Sequence, residues 1–491
     1  MDDLLFSNFI GPGAENIDTL RNLLNKVIDF HEGWRKSYYQ EDDTLFPPSI
    51  LDTKSFEKEL EIFLERSKKN LPYFHPRYVA QMLKDPTIPT ILGYLTFMMS
   101  NPNNHAYEGG PVTTEMEMEV TDLLKRFVGY NADGWGHLTS GGSLANLEAL
   151  WAARDTYGQG KVLFSEVSHY SWKRICKILS IPDYKEISVD SNFRINLNAL
   201  ENELKKENTL MVVANLGSTG SGSVDDIEGI LSLHKKYNFH LHIDAAYGGF
   251  FRSLILDSDY KIIPGFQTVP EEYLYRQLIA LQEADSLTID PHKHGAVSYG
   301  AGAVLYRNME LQQALLNTAP YTYHKTDKPN IGMFSLEGSR PGAMAAATYL
   351  TFRALPPHFH GLGKLVNSSY LSARHLYEEI EKTQDFANLS KPDLDINCFF
   401  NRPGKKDITE LNTKSLKLYN RLSVENAKPE FILSKFVISP EIAKTVLSDY
   451  INSQNENLIS LRTVNIKHWG SLDNFRYIDL LVKELEIIAN N

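Results

Sequence analysis

The sequence predicts an α/β fold with a mostly parallel sheet, followed by a smaller α+β region. Three observations predict it. Through the middle of the chain, short apolar runs alternate with segments of helical periodicity, the pattern of repeated strand–helix units. The runs are nearly continuous in apolar residues, as strands covered on both faces must be. Beyond about residue 365 the alternation gives way to a mixed pattern that ends in a long helical stretch.

Taken in order, "IDTLRNLLNKVIDFHEGW" and "SFEKELEIFLERSKK" place apolar residues at helical spacing with charged faces. The strand-like runs follow: "KVLFSE", "LMVVAN", "HLHID", "SLTID" and "AGAVLYR". Between them, "SLANLEALWAARDTYG" and "IEGILSLHKKYN" read as helices. Two prolines and two glycines in "RALPPHFHGLG" mark a boundary, and "FRYIDLLVKELEIIANN" closes the chain as a helix. The expected division is a helical segment over 1–75, a large domain over 76–364 and a small domain over 365–491.

Bulk properties exclude several classes. The chain has 491 residues, 42% apolar and 23% charged, enough for a large core and more than one domain. Its formal net charge of −11 and the absence of a long Lys/Arg run argue against a nucleic-acid partner. The acidic start "MDDLLFSNFIGPGAEN" lacks the basic and apolar regions of a signal peptide. "ILGYLTFMM" is too short to span a bilayer. Cys176 and Cys398 form neither a metal spacing nor a disulfide framework and read as buried, inert thiols. A soluble cytoplasmic protein without a metal site is expected.

The candidates for chemistry each follow a strand-like run, where open α/β sheets gather their ligands. In "HLTSGGSLANLEALWAAR", Gly142 and Ser143 open a helix whose free N–H groups suit an anion; Ser143 also reads as a simple N-cap. His169 in "FSEVSHYSWKR" follows a strand and opens a helix, where a lone histidine is more often a surface or satisfied residue than a catalytic one. Asp244 in "LHIDAAYGGF" ends a strand, where a carboxylate needs a partner. A helix cap or a salt bridge would supply one, and the small residues after it leave room for something bulky. Lys293 in "SLTIDPHKHGAVSYG" is either an amine nucleophile or a lysine reaching for solvent. Together, an anion turn, a histidine, an aspartate and a lysine at strand ends fit one cofactor. Pyridoxal phosphate needs a lysine for its aldehyde, a carboxylate for its ring nitrogen, an anion site and a flat cover.

These motifs resemble the group II pyridoxal-phosphate decarboxylases, of the aspartate-aminotransferase-like fold (fold type I). "IDPHKHG" is similar to the family's Schiff-base motif and "HIDAAYGG" to its pyridinium-aspartate motif, with "TSGGSLAN" between strand and helix. The segment "FHPRYVAQMLKDPTIPTILGYLTFMMSNPNNHAYEGGPVTTEMEMEV" resembles the tyrosine-decarboxylase-like branch. The resemblance implies covalent attachment at Lys293, ring-nitrogen pairing by Asp244 and ring stacking by His169. It implies phosphate contacts from Gly142, Ser143 and His292, with Thr219 and Ala246 beside the ring. It also implies a homodimer with interfacial sites, intertwined through the N-terminal segment, that decarboxylates an L-amino acid, foremost an aromatic one. A proton donor is implied on the long loop "NTAPYTYHKTDKPNIGMFSLEGSRPG", with Tyr323 preferred over Tyr321. Phe74, His105 and Tyr107 are read as pocket-lining or as packing. Arg340, in "GSRPGA", is read as binding an acidic group or as a structural ion pair. That segment also resembles carbon–carbon lyases of the same scaffold. An oxidative deaminase, a decarboxylase of acidic amino acids and a catalytically silent homologue complete the alternatives. His294 is assigned no role.

Overall fold

Seven strands form the central sheet: β1 (Trp135–Thr139), β2 (Lys161–Ser165), β3 (Tyr184–Ile187), β4 (Thr209–Asn215), β5 (His240–Asp244), β6 (Ser286–Ile289) and β7 (Gly302–Tyr306). Their spatial order is β1-β7-β6-β5-β4-β2-β3. The pairings from β6 through β5, β4 and β2 to β3 are parallel. Only β7 runs against its two neighbours. Every residue of β4 and β5 is buried, as the unbroken apolar runs require of strands covered on both sides. The computed structural model describes residues 4–45, 51–206, 208–269, 271–317 and 328–490.

The parallel arrangement decides where function gathers. β1, β2, β4, β5 and β6 point their carboxyl ends to one edge, and the segments that follow them carry the candidate residues. β6 is followed by an antiparallel strand, so the chain turns back directly over residues 290–301. Lys293 sits in that turn. The helix Gly142–Tyr157 begins just after β1 and packs on the sheet through Ala145, Ala149, Leu150 and Ala153, all fully buried. Small alanines on that face let the helix lie close to the strands.

A second, four-stranded sheet is antiparallel, with β8 (Phe386–Asn388), β9 (Ile396–Asn401), β10 (Ser434–Ile438) and β11 (Leu458–Val464) in the order β10-β11-β9-β8. Helices Leu362–Lys382 and Leu472–Ala489 cover it through Leu376, Ile380, Leu481 and Leu485. Burying each such leucine contributes roughly 1.5–3 kcal/mol. This small α+β unit is fastened to the large domain at the segment that follows β4. Arg462 on β11 donates to the carbonyls of Thr219 and Gly220, both at 2.8 Å. Arg194 pairs with Asp393 at 2.6 Å.

The N-terminal helices Ile17–Lys36 and Thr53–Ser67 are present where the periodicity predicts them. The second buries no residue at all, and Phe56, Ile62 and Phe63 on it are more than half exposed. No helix among the described residues is long and apolar enough to cross a membrane.

Candidate active site

One cavity of about 460 Å³ opens at the carboxyl edge of the large sheet. Gly142, Ser143, His169, Thr219, Asp244, Ala246, His292 and Lys293 all line it. These residues are separated by up to 151 positions in sequence, and the strand order brings them together.

The helix after β1 starts at Gly142, with Gly141 as its N-cap. Ser143 therefore lies inside the first turn and does not cap the helix. Leu144 N and Ala145 N donate to the Gly141 carbonyl, which leaves the N–H groups of Gly142 and Ser143 to face an anion. Gly142 is required by closeness. A Cβ there would stand 2.9 Å from Asp290 Oδ2 and 3.0 Å from Ala246 Cβ. His292, beside Gly141, is buried and its Nδ1 has no hydrogen-bond partner. Burial pushes its imidazole below the usual range.

Lys293 does not reach for solvent. Its side chain is only 20% exposed, and Nζ lies 2.9 Å from Asp290 Oδ2. Burial works against its charge, but Asp290, aided by Asp244, outweighs that and holds the amine above the ordinary lysine range. Among the described residues Asp244 has no cation within salt-bridge distance, and it caps no helix. Its Oδ2 accepts from Asn146 Nδ2 at 2.8 Å and Trp172 Nε1 at 3.1 Å, and Oδ1 accepts from the backbone N–H of Ala246 at 3.3 Å. Three donors supply the partners that a buried carboxylate needs. His169 is held by Ser171, Nδ1 to Oγ 2.7 Å. Burial lowers its pKa despite the nearby Asp244 and Asp290, so its ring is neutral at pH 7 and suited to lie over a flat group.

The donor set fits pyridoxal phosphate. An anion turn and an unpartnered buried histidine nitrogen stand near Gly141 and Gly142. An amine, and a carboxylate whose Oδ2 holds two donors while Oδ1 holds only the long Ala246 contact, complete the set. Asn146, Trp172, Asn215, Asp290 and Tyr299 also belong to the site or support it, and the sequence reading gave them no role. Asp290 carried a signal, being an acidic residue three positions before the lysine at a strand end. Asn146 and Trp172 sit on helix faces among ordinary core residues and carried none.

The other candidates fall elsewhere. His294 is buried against Asp395, and Arg340 pairs with Glu117. Phe74 is exposed, and neither it, His105 nor Tyr107 lines this chain's cavity. Tyr321 and Tyr323 lie outside the described residues. Cys176 and Cys398 are buried and free, and burial pushes both thiols to about 12.

Comparison with known proteins agrees with this cavity. Residues 56–402 match the family described as the pyridoxal-dependent decarboxylase conserved domain. The L-tyrosine decarboxylase of Levilactobacillus brevis is 31% identical, the alignment covering 84% of this chain and 83% of that protein. The L-aspartate/L-glutamate decarboxylase of Pyrococcus horikoshii is 26% identical over 82% of this chain and 97% of its own length. In three dimensions the chain is similar to Oryza sativa TDC, solved with PLP and tryptamine, with a TM-score of 0.73. That likeness covers 97% of this chain and 98% of the other at 16% identity, and speaks to the fold alone. A match spanning most of the chain, over a cavity with a lysine, an aspartate and an anion turn, settles the family: the chain belongs to the pyridoxal-dependent decarboxylases, enzymes that remove carbon dioxide from an amino acid with pyridoxal phosphate as cofactor.

Proposed function

We propose that the substrate is an aromatic L-amino acid of the tyrosine type, converted to its amine and carbon dioxide. The observation that carries this reading is the charge of the cavity wall. Its described cationic or protonatable nitrogens belong to Lys293, His169 and His292, and no arginine is among the lining residues. A second carboxylate on the substrate would lack a fixed cation there, whereas an aromatic side chain needs none. The L-tyrosine decarboxylases among the relatives point the same way.

In this reading the N-terminal turn of the helix Gly142–Tyr157, Ser143 and His292 hold the phosphate. Lys293 holds the aldehyde carbon covalently, His169 covers one ring face, and Thr219 and Ala246 flank the ring. The cofactor supplies an electron sink for the pair left by the departing carboxylate. Asp244 keeps a proton on the ring nitrogen, which deepens that sink. Tyr323, with Tyr321 as the alternative, returns a proton to the substrate α-carbon. Asp290 accepts from the Lys293 ammonium and releases it when the amine is needed.

The protein is read as a homodimer, divided as 1–75, 76–364 and 365–491. The helix Thr53–Ser67 buries nothing within its own chain while exposing a row of apolar residues; a second copy would cover them. Phe74, His105 and Tyr107 then line the partner's cavity. Two buried, unpaired cysteines favour the cytoplasm.

Incubation with each of the common amino acids, following carbon dioxide and identifying the product by mass, tests the reading. Tyramine or another arylalkylamine is expected. An aldehyde product would support the lyase or deaminase reading, and release from aspartate or glutamate alone would support the acidic one. Borohydride is expected to fix the cofactor to Lys293 and to nothing in Lys293→Ala. Sedimentation is expected to give a dimer, and Phe63→Glu to weaken it at least about tenfold.

A further inference from the structure

Asn146 presents its NH₂ to Asp244. A side-chain amide has two ends of nearly one shape, so some neighbour must decide which end faces the carboxylate. Turned over, Asn146 would set its carbonyl against the carboxylate, two acceptors with no proton between them. The decision is made behind it. His242 Nε2 lies 3.1 Å from Asn146 Oδ1, and 3.4 Å from Thr288 Oγ1. His242 Nδ1 lies 2.8 Å from Ser286 Oγ, and the same oxygen lies 2.7 Å from His240 Nε2.

The sheet builds this row. Residues 240, 242 and 244 alternate onto one face of β5, and the β5–β6 register sets Ser286 opposite His242 and Thr288 opposite Asp244. Asn146 enters from one turn inside the helix that starts at Gly142. Asn146, His240, His242 and Ser286 are all buried.

We infer that His242 is a positioning residue: as a neutral ring with its proton on Nε2, it fixes the Asn146 amide with NH₂ toward Asp244 and so keeps that donor on the site's carboxylate. Each group then donates to the next, from His240 to Ser286, to His242, to Asn146, to Asp244. The surroundings keep both rings neutral. Burial lowers His242 to about 3 against the pull of Asp244, with His240 adding to the fall. Burial lowers His240 to about 4 against Asp285, with His234 and Arg307 adding to the fall. Trp172 packs edge-on to the His242 ring at 5.4 Å and brings no charge. The inference rests on the reading that Asp244 pairs with the cofactor's ring nitrogen.

The test compares holoenzyme variants. His242→Leu removes the donor, while His242→Gln keeps an N–H near the place of Nε2. His242→Leu is expected to lower kcat about tenfold with KM within about twofold, and to speed cofactor release, followed by absorbance, about tenfold. His242→Gln is expected to recover both to within about threefold of the parent. A purely packing role predicts no advantage of Gln over Leu, and that result, or a His242→Leu variant equal to the parent, overturns the inference. Asp244→Asn tests the underlying reading separately: a retained kcat refutes ring-nitrogen pairing and leaves the decision on His242 to spectroscopy. There, Ser286→Ala in the full chain stripped of cofactor shifts the ¹⁵N resonances of two histidines, which also serves if the His242 variants fail to fold. Both are expected to carry their proton on Nε2, unchanged between about pH 6 and 8. A proton on Nδ1 of His242 overturns the inference.

Discussion

Asp395 and His294 stand side by side, Oδ2 to Nε2 at 3.1 Å, and both side chains are fully buried. The other oxygen of Asp395 accepts the Tyr247 hydroxyl at 2.6 Å. His294 follows Lys293 in the chain, and Tyr247 stands three residues after Asp244 and lines the cavity. One carboxylate of the small unit therefore touches two of the segments that carry the proposed cofactor contacts, those of Asp244 and Lys293. The His294 ring also lies edge-on to Tyr247 and Phe251, at 5.0 and 4.9 Å. Burial lowers its pKa despite Asp395, so it serves as a neutral, shape-fitted partner.

His294→Leu is expected to lower the unfolding free energy by about 3 kcal/mol, because it replaces the polar neighbour of a buried carboxylate with an apolar one. Asp395→Asn, which keeps an oxygen and removes the charge, is expected to cost less. Urea unfolding of the three proteins measures the difference. Equal midpoints for parent and His294→Leu would show the pair to be idle.

Arg340 is a second buried tie. It donates to the Glu117 carboxylate and, at 2.6 Å, to the carbonyl of Leu138. Glu117 also accepts from Asn104 Nδ2 at 2.8 Å and the Leu138 N–H at 3.1 Å. Arg340→Met is expected to cost about 3–5 kcal/mol by stranding Glu117, with the substrate KM of the folded enzyme unchanged. A stable variant with a raised KM would instead place Arg340 against substrate.

How far the sequence reaches is clear from particular residues. The runs "LMVVAN" and "HLHID" are legible because both faces of β4 and β5 are covered, which forces continuous apolar content. β3, "YKEI", lies at the sheet edge with mixed burial, so it shows no apolar run and escapes notice. Lys293 and Asp244 stand in compact motifs that carry their own context. Asn146 and Trp172 are brought to Asp244 by packing across the sheet, and no local spacing encodes that. The ambiguity of Ser143 was decided by a register of one residue: Gly141, and no side chain, caps the helix.

Gly142 offers a sharper probe of the cavity than its lining side chains. The methyl group of Gly142→Ala would meet Asp290 Oδ2 at 2.9 Å and Ala246 Cβ at 3.0 Å. Asp290 Oδ2 is the oxygen that holds Lys293, so the displacement disturbs the lysine as well as the anion turn. Cofactor affinity is expected to fall about tenfold, read by equilibrium dialysis, with the fold unaltered by circular dichroism. Unchanged affinity would show that the turn yields without effect.

Lys84 makes stability depend on pH in a direction that can be worked out. It is fully buried among Asp85, Asp395 and Lys467, and its ammonium donates to the carbonyl of Ile466 at 2.6 Å. Burial lowers its pKa to about 7, the two carboxylates only partly opposing the fall. In the unfolded chain the amine titrates near 10.4, roughly the free lysine value. Below about pH 7 both states hold the proton, so this group adds no slope and its burial penalty is at its largest. Between about pH 7 and 10 the unfolded chain binds more protons than the folded one, and stability rises with pH by up to about 1.4 kcal/mol per unit. Lys84→Met, of similar length and without a charge, is expected to be more stable at neutral pH and to lose that rise. Urea unfolding of both proteins at about pH 7, 8 and 9 isolates the contribution, since every other titrating group is common to the two. Parallel pH profiles would mean that Lys84 keeps its proton when folded and that Asp85 and Asp395 compensate its burial in full.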